Sequence, residues 1–281
     1  MTKSRKKKQL IVMLSEKGGE GKTTFAKALT DFKRRGPVYE AGKPVQDAAG
    51  NPVCVKRKVL VVDCNPKVGQ LADAYGLKDG TGLYDPKANL DSMFEGVMTV
   101  DIKDKTKCGA LVDFIDMEPD DILLDMPGGS VNDVAAVFST VGQFIKEFQD
   151  EGGYEVIVIM VISHLIPSAK NIQPIMSAWS AADRFVVVKN TGRAPADKFI
   201  FFDGEYSARA GHPLQTLRDR DGVVIRMPRI EDDTYALFDA EQISFSDAAD
   251  KNKSPFNRQD RGRMRMFLQE SDDEIAKLNL A

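Results

Sequence analysis

Five stretches of this 281-residue chain are apolar runs with no polar alternation: QLIVMLS (9–15), KVLVVD (58–63), DILLDM (121–126), YEVIVIMVI (154–162) and RFVVVKN (184–190). A strand with one wet face alternates, so unbroken β-branched runs predict strands buried on both faces, as in a parallel sheet covered by helices. The intervening segments supply the helices. Residues 22–35, 168–181 and the C-terminus from about 257 read as helical, and over 131–149 the stretch VNDVAAVFSTVGQFIKEFQ sets apolar residues at three- and four-residue steps. Strands alternating with helices give the fold class: α/β, a mostly parallel sheet with helices on both faces. The stretch GPVYEAGKPVQDAAGNPVCVKR (36–57) is rich in Gly and Pro and predicts an inserted loop or hairpin before the second strand. No repeat or linker divides the chain, which reads as one domain over 1–281 with a basic tail at 1–8 and a C-terminal helix over 257–281.

Composition narrows the function classes. A hydrophobic content of 42%, 29% charged residues and a net charge of −3 describe an ordinary globular protein, not one that is basic throughout. Contact with nucleic acid would therefore come from local clusters. Two exist: KSRKKK at 3–8, and RQDRGRMR at 258–265 with Arg258, Arg261, Arg263 and Arg265. Each is either a solvated surface or a phosphate-binding patch. Three cysteines, Cys54, Cys64 and Cys108, without CxxC spacing fit a reducing cytoplasm, and two histidines leave little for a histidine metal site or a Ser/His/Asp triad. The apolar run VIVIMVI (156–162) is far short of the ~20 residues of a membrane span. QLIVML runs directly into a glycine turn without a small-residue cleavage site, which argues against a signal peptide.

That turn carries the chemistry. In SEKGGEGKTT (15–24) a strand ends at Ser15, three glycines follow, and a helix opens at Lys22. Backbone N–H groups in such a turn surround a phosphate chain, helped by the positive helix end. Gly18, Gly19 and Gly21 clear the approach, Lys22 reaches the terminal phosphates, and the Thr23 hydroxyl holds Mg²⁺. Glu20 and Thr24 complete the loop. The strict phosphate-loop pattern, GxxxxGK[ST], requires glycine where this chain has Glu16.

KGGEGKTT instead resembles the variant loop of the ParA/MinD family of P-loop ATPases, KGGxGK[ST] with an extra early lysine. The resemblance implies that Lys17 reaches across an ATP-dependent homodimer to the partner's nucleotide, a cation supplied in trans to oxygens that gain charge in phosphoryl transfer. VLVVDCNPK (59–67) resembles the family's DxDP switch segment, which implies roles for Asp63 in Mg²⁺-dependent steps and for Asn65 in catalysis. ILLDMPGG (122–129) resembles its Walker B region, so that Asp125 would hold Mg²⁺ through a water while Gly128 and Gly129 let the segment move. VVVKN (186–190) and VVIRMPRI (223–230) match segments whose Asn190 and Pro228 would lie beside the adenine. The resemblance covers roughly residues 9–245.

One position departs from the family. Its second acid, which positions the attacking water, is here Asn65, which orients water through its carbonyl but carries no charge and accepts no proton. Hydrolysis would then be slow or partner-stimulated, unless Asn65 only caps the turn before Pro66.

The resemblance thus implies a cytoplasmic ATPase using ATP and Mg²⁺. Its ATP-bound dimer would bind DNA without sequence preference, and a site-specific DNA-binding partner would stimulate hydrolysis, as in DNA partition. The four arginines at 258–265 are the local source of such affinity. Two alternatives are a slowly hydrolysing or non-hydrolysing switch adaptor in conjugation or cell positioning, and a MinD-like positioning ATPase. The acidic terminus QESDDEIAKLNLA would be repelled by anionic lipid, so no membrane role is expected. Iron-protein and arsenite-pump relatives need cysteines that the chain lacks after Asp125.

Overall fold

The strands in chain order are β1 (Lys8–Leu14), β2 (Tyr39–Glu40), β3 (Lys43–Pro44), β4 (Val59–Asp63), β5 (Met98–Thr99), β6 (Asp121–Asp125), β7 (Tyr154–Ile162), β8 (Arg184–Asn190) and β9 (Val223–Met227). The computed structural model describes residues 7–15, 17–40 and 43–280. Seven of these strands form one sheet in the order β5-β4-β6-β1-β7-β8-β9, and every pairing in it is parallel. The short β2–β3 pair is antiparallel and stands apart.

The unbroken apolar runs have a direct physical cause. Successive side chains of a strand point to opposite faces, and both faces of this sheet are covered. From β1, Leu10, Val12 and Leu14 join a core with Phe144, Phe148 and Trp179. Ile11 and Met13 point the other way, into a core with Phe25, Leu29, Phe238 and Phe267. The helix Lys22–Arg35 buries Phe25, Ala28, Leu29 and Phe32 at helical spacing in this second core, and Gly36 ends it at φ 60°, donating its N–H to the Phe32 carbonyl at 3.0 Å.

The 36–57 stretch makes antiparallel passes, with Val38 bonded to Val53 and Val45 to Val38, and returns to the sheet through Arg57. Arg57 and Lys33 both bond to the fully buried carboxylate of Asp121 at the start of β6, Arg57 through Nε at 2.6 Å and Lys33 at 3.2 Å. A charge that deep requires such partners.

Three features differ from the sequence reading. The expected helix over 131–149 is two helices, Ser130–Phe138 and Val141–Lys146, followed by a π turn at Glu147–Glu151. Ser139 at φ 65° stops the first helix, and the Thr140 hydroxyl starts the second by accepting from the Gln143 N–H at 3.1 Å. The helix expected over 168–181 begins earlier, with Pro167 in its first turn, and divides into Ile166–Lys170 and Ile172–Ala178. Strand β9 was not legible as a strand, because at the sheet edge it alternates buried Ile225 and Met227 with exposed Arg226 and ends at once in Pro228.

Candidate functional site

The C-terminal ends of the parallel strands open onto one cavity of about 560 Å³, within the usual range for small-molecule sites. Its lining draws on the glycine loop after β1, the turn after β4, Pro127 and Gly128 after β6, the turn after β8, and Met227 and Pro228 at the end of β9. Loops at this end of a parallel sheet are the general location of ligand sites in α/β folds.

The glycine loop takes its shape from two left-handed residues, Gly19 at φ 80° and Gly21 at φ 94°, a conformation that costs a residue with a Cβ. Gly21 is also the N-cap of the helix Lys22–Arg35, whose first turn holds no acid of its own, and the positive end of that helix meets the loop. A side chain at Gly21 would collide with the Asn190 amide and come within 2.8 Å of Met227 Cε, whereas one at Gly18 would meet nothing within 4 Å. The glycines therefore serve different ends: Gly21 allows close packing and Gly18 leaves open space. Glu16 lies outside the described residues.

Beside the loop, Asp125 gathers two side chains. Lys22 Nζ donates to its Oδ1 at 2.7 Å and Thr23 Oγ1 to its Oδ2 at 2.8 Å, with Asp125 only 4% exposed. Thr24 Oγ1 lies 3.1 Å from the Tyr235 hydroxyl, and burial pushes that phenol's pKa up. Lys17 is exposed on the rim, and its carbonyl accepts from Ser15 Oγ at 3.1 Å.

Asp63 ends β4 in register with Asp125. Its Oδ1 accepts from the N–H of Asn65 at 2.9 Å, and its Oδ2 from those of Leu71 and Ala72, each at 3.2 Å. The carboxyl thus ties the whole 65–72 turn to the strand. Burial raises its pKa, Asp125 adds to the rise, and the three N–H groups oppose it. Asn65 was open to a turn-capping reading, but the capping side chain is that of Asp63. Asn65 lines the cavity, and its side chain makes no hydrogen bond among the described residues. Its carbonyl accepts from Val68 and Gly69 N–H at 3.0 and 3.1 Å.

Asn190 and Pro228 both line the cavity. Expected beside a base, Asn190 has both ends of its amide engaged: Nδ2 donates to the Glu20 carbonyl at 2.8 Å and Oδ1 accepts from the Gly192 N–H at 3.0 Å. The chain-distant Arg193 and Tyr235 were missed by sequence reasoning. Arg193 Nη2 donates to the Gly19 carbonyl at 2.7 Å, 174 positions away, and no local spacing could have signalled that.

The four arginines do not form a free array. Arg258 is exposed at the start of the helix Arg258–Ala276. Arg261 Nη1 donates to the Phe256 carbonyl, Arg263 Nη1 to Thr234 Oγ1 at 3.0 Å and Asp260 Oδ1 at 3.4 Å, and Arg265 Nη1 to the Ala249 carbonyl at 3.0 Å. Of the basic cluster at 3–8, residues 3–6 lie outside the described residues.

Among the described residues no group of three or more His, Cys, Asp or Glu side chains could hold a metal by itself. Thr23 and Asp125 offer hard oxygens, which fit Mg²⁺ held by one or two protein groups with substrate phosphates completing the shell. The open space at Gly18 and the helix N-terminus at the loop fit the phosphates.

No protein-family model matches the sequence, and no curated protein does. Among solved structures, the MinC:MinD cell division protein complex of Aquifex aeolicus aligns over 96% of this chain and 96% of that chain, at 14% identity and a TM-score of 0.51. The fold is that of MinD. Apo McdA of Cyanothece aligns over 94% of this chain and 98% of its own at 11% identity and TM-score 0.48. An AMPPNP-bound protein of Borrelia burgdorferi B31 named for plasmid partition gives 97%, 98%, 14% and 0.43 in the same order. No helix among the described residues is long and apolar enough to cross a membrane.

Proposed function

We propose that this chain is a positioning or partition ATPase of the ParA/MinD type, which binds ATP with Mg²⁺ and changes partners with its nucleotide state. One observation carries the reading: Lys22 and Thr23 both converge on the buried carboxylate of Asp125, beside a glycine loop with two left-handed residues. A cation, a hydroxyl and an acid in this arrangement suit the β- and γ-phosphates and their metal. Lys22 would leave Asp125 for the phosphates, while Thr23 and Asp125 hold Mg²⁺, the acid through water. Bound Mg²⁺ would supply charge neutralisation on the phosphate oxygens. Pro228 would pack beside the base, and Lys17, exposed on the rim, would serve the partner subunit's nucleotide in an ATP-dependent homodimer.

In the same reading the ATP-bound dimer binds DNA through backbone phosphates, and a site-specific DNA-binding protein stimulates hydrolysis. The protein then works in the cytoplasm and is nucleoid-bound with ATP. The helix Arg258–Ala276 is the assigned DNA surface, with Arg258 and Arg265 exposed on it. ATP turnover measured with and without DNA tests the proposal, with Lys22→Ala as the inactive control. Turnover unaffected by Lys22→Ala would remove it.

Asn65 favours a second reading, a switch that hydrolyses slowly without a partner. Asn65 lines the cavity and carries an uncharged amide, and Asp63 is committed to three backbone N–H groups. Neither is set to take a proton from water.

A further inference from the structure

The turn after β8 grips the glycine loop at two consecutive carbonyls. Arg193 Nη2 donates to the Gly19 carbonyl at 2.7 Å, and Asn190 Nδ2 to the Glu20 carbonyl at 2.8 Å. The turn is itself fixed. Its Thr191 N–H and hydroxyl both donate to the Met227 carbonyl of β9, at 3.0 and 2.7 Å, and the Arg193 N–H donates to the Asn190 carbonyl at 3.1 Å.

The geometry of the peptide unit gives this grip a consequence. In a trans peptide the C=O of one residue and the N–H of the next point in opposite directions, and there are no cis peptides among the described residues. Holding the Gly19 carbonyl toward Arg193 therefore turns the Glu20 N–H away from that turn, and holding the Glu20 carbonyl toward Asn190 does the same for the Gly21 N–H. Glycines at these φ values have other conformations within easy reach, so the loop's own sequence does not select this one. Two side chains 170 and 174 positions along the chain hold its carbonyls.

We propose that Arg193 is a positioning residue for the phosphate loop, acting with Asn190 to hold the loop's N–H groups in the orientation that receives an anion. The inference rests on the nucleotide reading above and adds to it how the loop is held. The work is done by hydrogen bonds to backbone carbonyls, so the guanidinium charge is incidental to it. The link from Thr191 to Met227, next to Pro228, also joins the base end of the cavity to its phosphate end through one short turn.

Calorimetric titration of MgATP and of Mg-tripolyphosphate, which has the phosphates without the base, tests this on wild type, Arg193→Ala, Arg193→Gln and Arg193→Lys, with thermal unfolding as the fold control. Arg193→Ala should weaken both ligands by the same factor, up to about tenfold for one lost hydrogen bond to a backbone carbonyl, with no loss of folded protein. Arg193→Gln, a donor without charge, should recover most of that affinity. An Ala variant that binds both ligands like wild type overturns the proposal. So does recovery by Lys but not Gln, which would mean a direct charge contact with phosphate, or weakening confined to ATP, which would mean a contact with the nucleoside. Wild-type protein that binds neither ligand would instead remove the nucleotide reading itself.

Discussion

Lys22 Nζ lies 2.7 Å from Asp125 Oδ1, joining residues 103 positions apart beside the loop. A lysine held on a buried acid is kept extended and aimed, and in the proposed reading incoming phosphates would compete with the acid for it. Lys22→Ala should lower ATP affinity by about a hundredfold or more, since it removes a charged donor to two phosphates. Lys17→Ala should leave binding intact and abolish ATP-dependent dimerisation. A fluorescent ATP analogue reads the first effect and light scattering the second. A Lys17 variant that still dimerises would contradict its role in trans.

Because Asp63 holds the turn, Asn65 is free to be changed without loosening it. Asn65→Asp should raise single-turnover ATP hydrolysis by ~10²-fold, the usual contribution of a placed acid–base group, and leave nucleotide affinity nearly unchanged. An unaltered rate would make the missing group one that a partner supplies, or favour the slow switch.

Gly21→Ala should destabilise the fold by roughly 1–2 kcal/mol from the left-handed backbone alone, and it also drives a methyl into Asn190 and Met227. Gly18→Ala should leave the melting temperature unchanged, because its added methyl meets nothing within 4 Å and its φ is not positive. Thermal melts of the pair distinguish a glycine required for packing from one required for open space.

Asp31 is buried in the helix Lys22–Arg35, where the Tyr75 hydroxyl donates to it at 2.5 Å and the Ser246 N–H at 3.3 Å. Burial raises its pKa, against those hydrogen bonds and the charge of Arg35. The folded protein then binds a proton that an unfolded aspartate releases near pH 4, so the contribution to stability falls as pH rises from about 4 through the raised value. Asp31→Asn keeps an acceptor for Tyr75 and should flatten that fall. Asp63 and Asp272, also raised by burial, should retain part of it. Urea midpoints at a series of pH values decide this, and an unchanged slope would mean that Asp31 stays charged.

The arginines should separate into two kinds. Arg258→Ala should reduce the log–log salt slope of DNA binding by about one if it touches a phosphate. Replacing Arg261, Arg263 and Arg265 together should lower the melting temperature, each losing a hydrogen bond worth on the order of 1 kcal/mol. A triple variant as stable as wild type, with a slope reduced by about three, would show those contacts to be dispensable and the side chains available to DNA.

The sequence by itself determined the elements that local chemistry controls. Unbroken apolar runs marked the buried parallel strands because both sheet faces are covered, and the glycine turn before Lys22 marked the loop because few other sequences need so many bare positions. Helix breaks at Ser139 and Asn171 were illegible, since the apolar spacing continues through them. Edge strands β5 and β9 were too short, or too evenly alternating, to stand out. Only the tertiary structure decided which side chains serve the loop. Arg193, Asn190 and Tyr235 reach it from 170 or more positions away, and the same fold gave Asp63 the turn-capping task while leaving Asn65 lining the cavity. Spacing along a chain encodes contacts within a strand or a helix turn. Contacts between the ends of separate strands depend on sheet order and register, which no short stretch of residues contains.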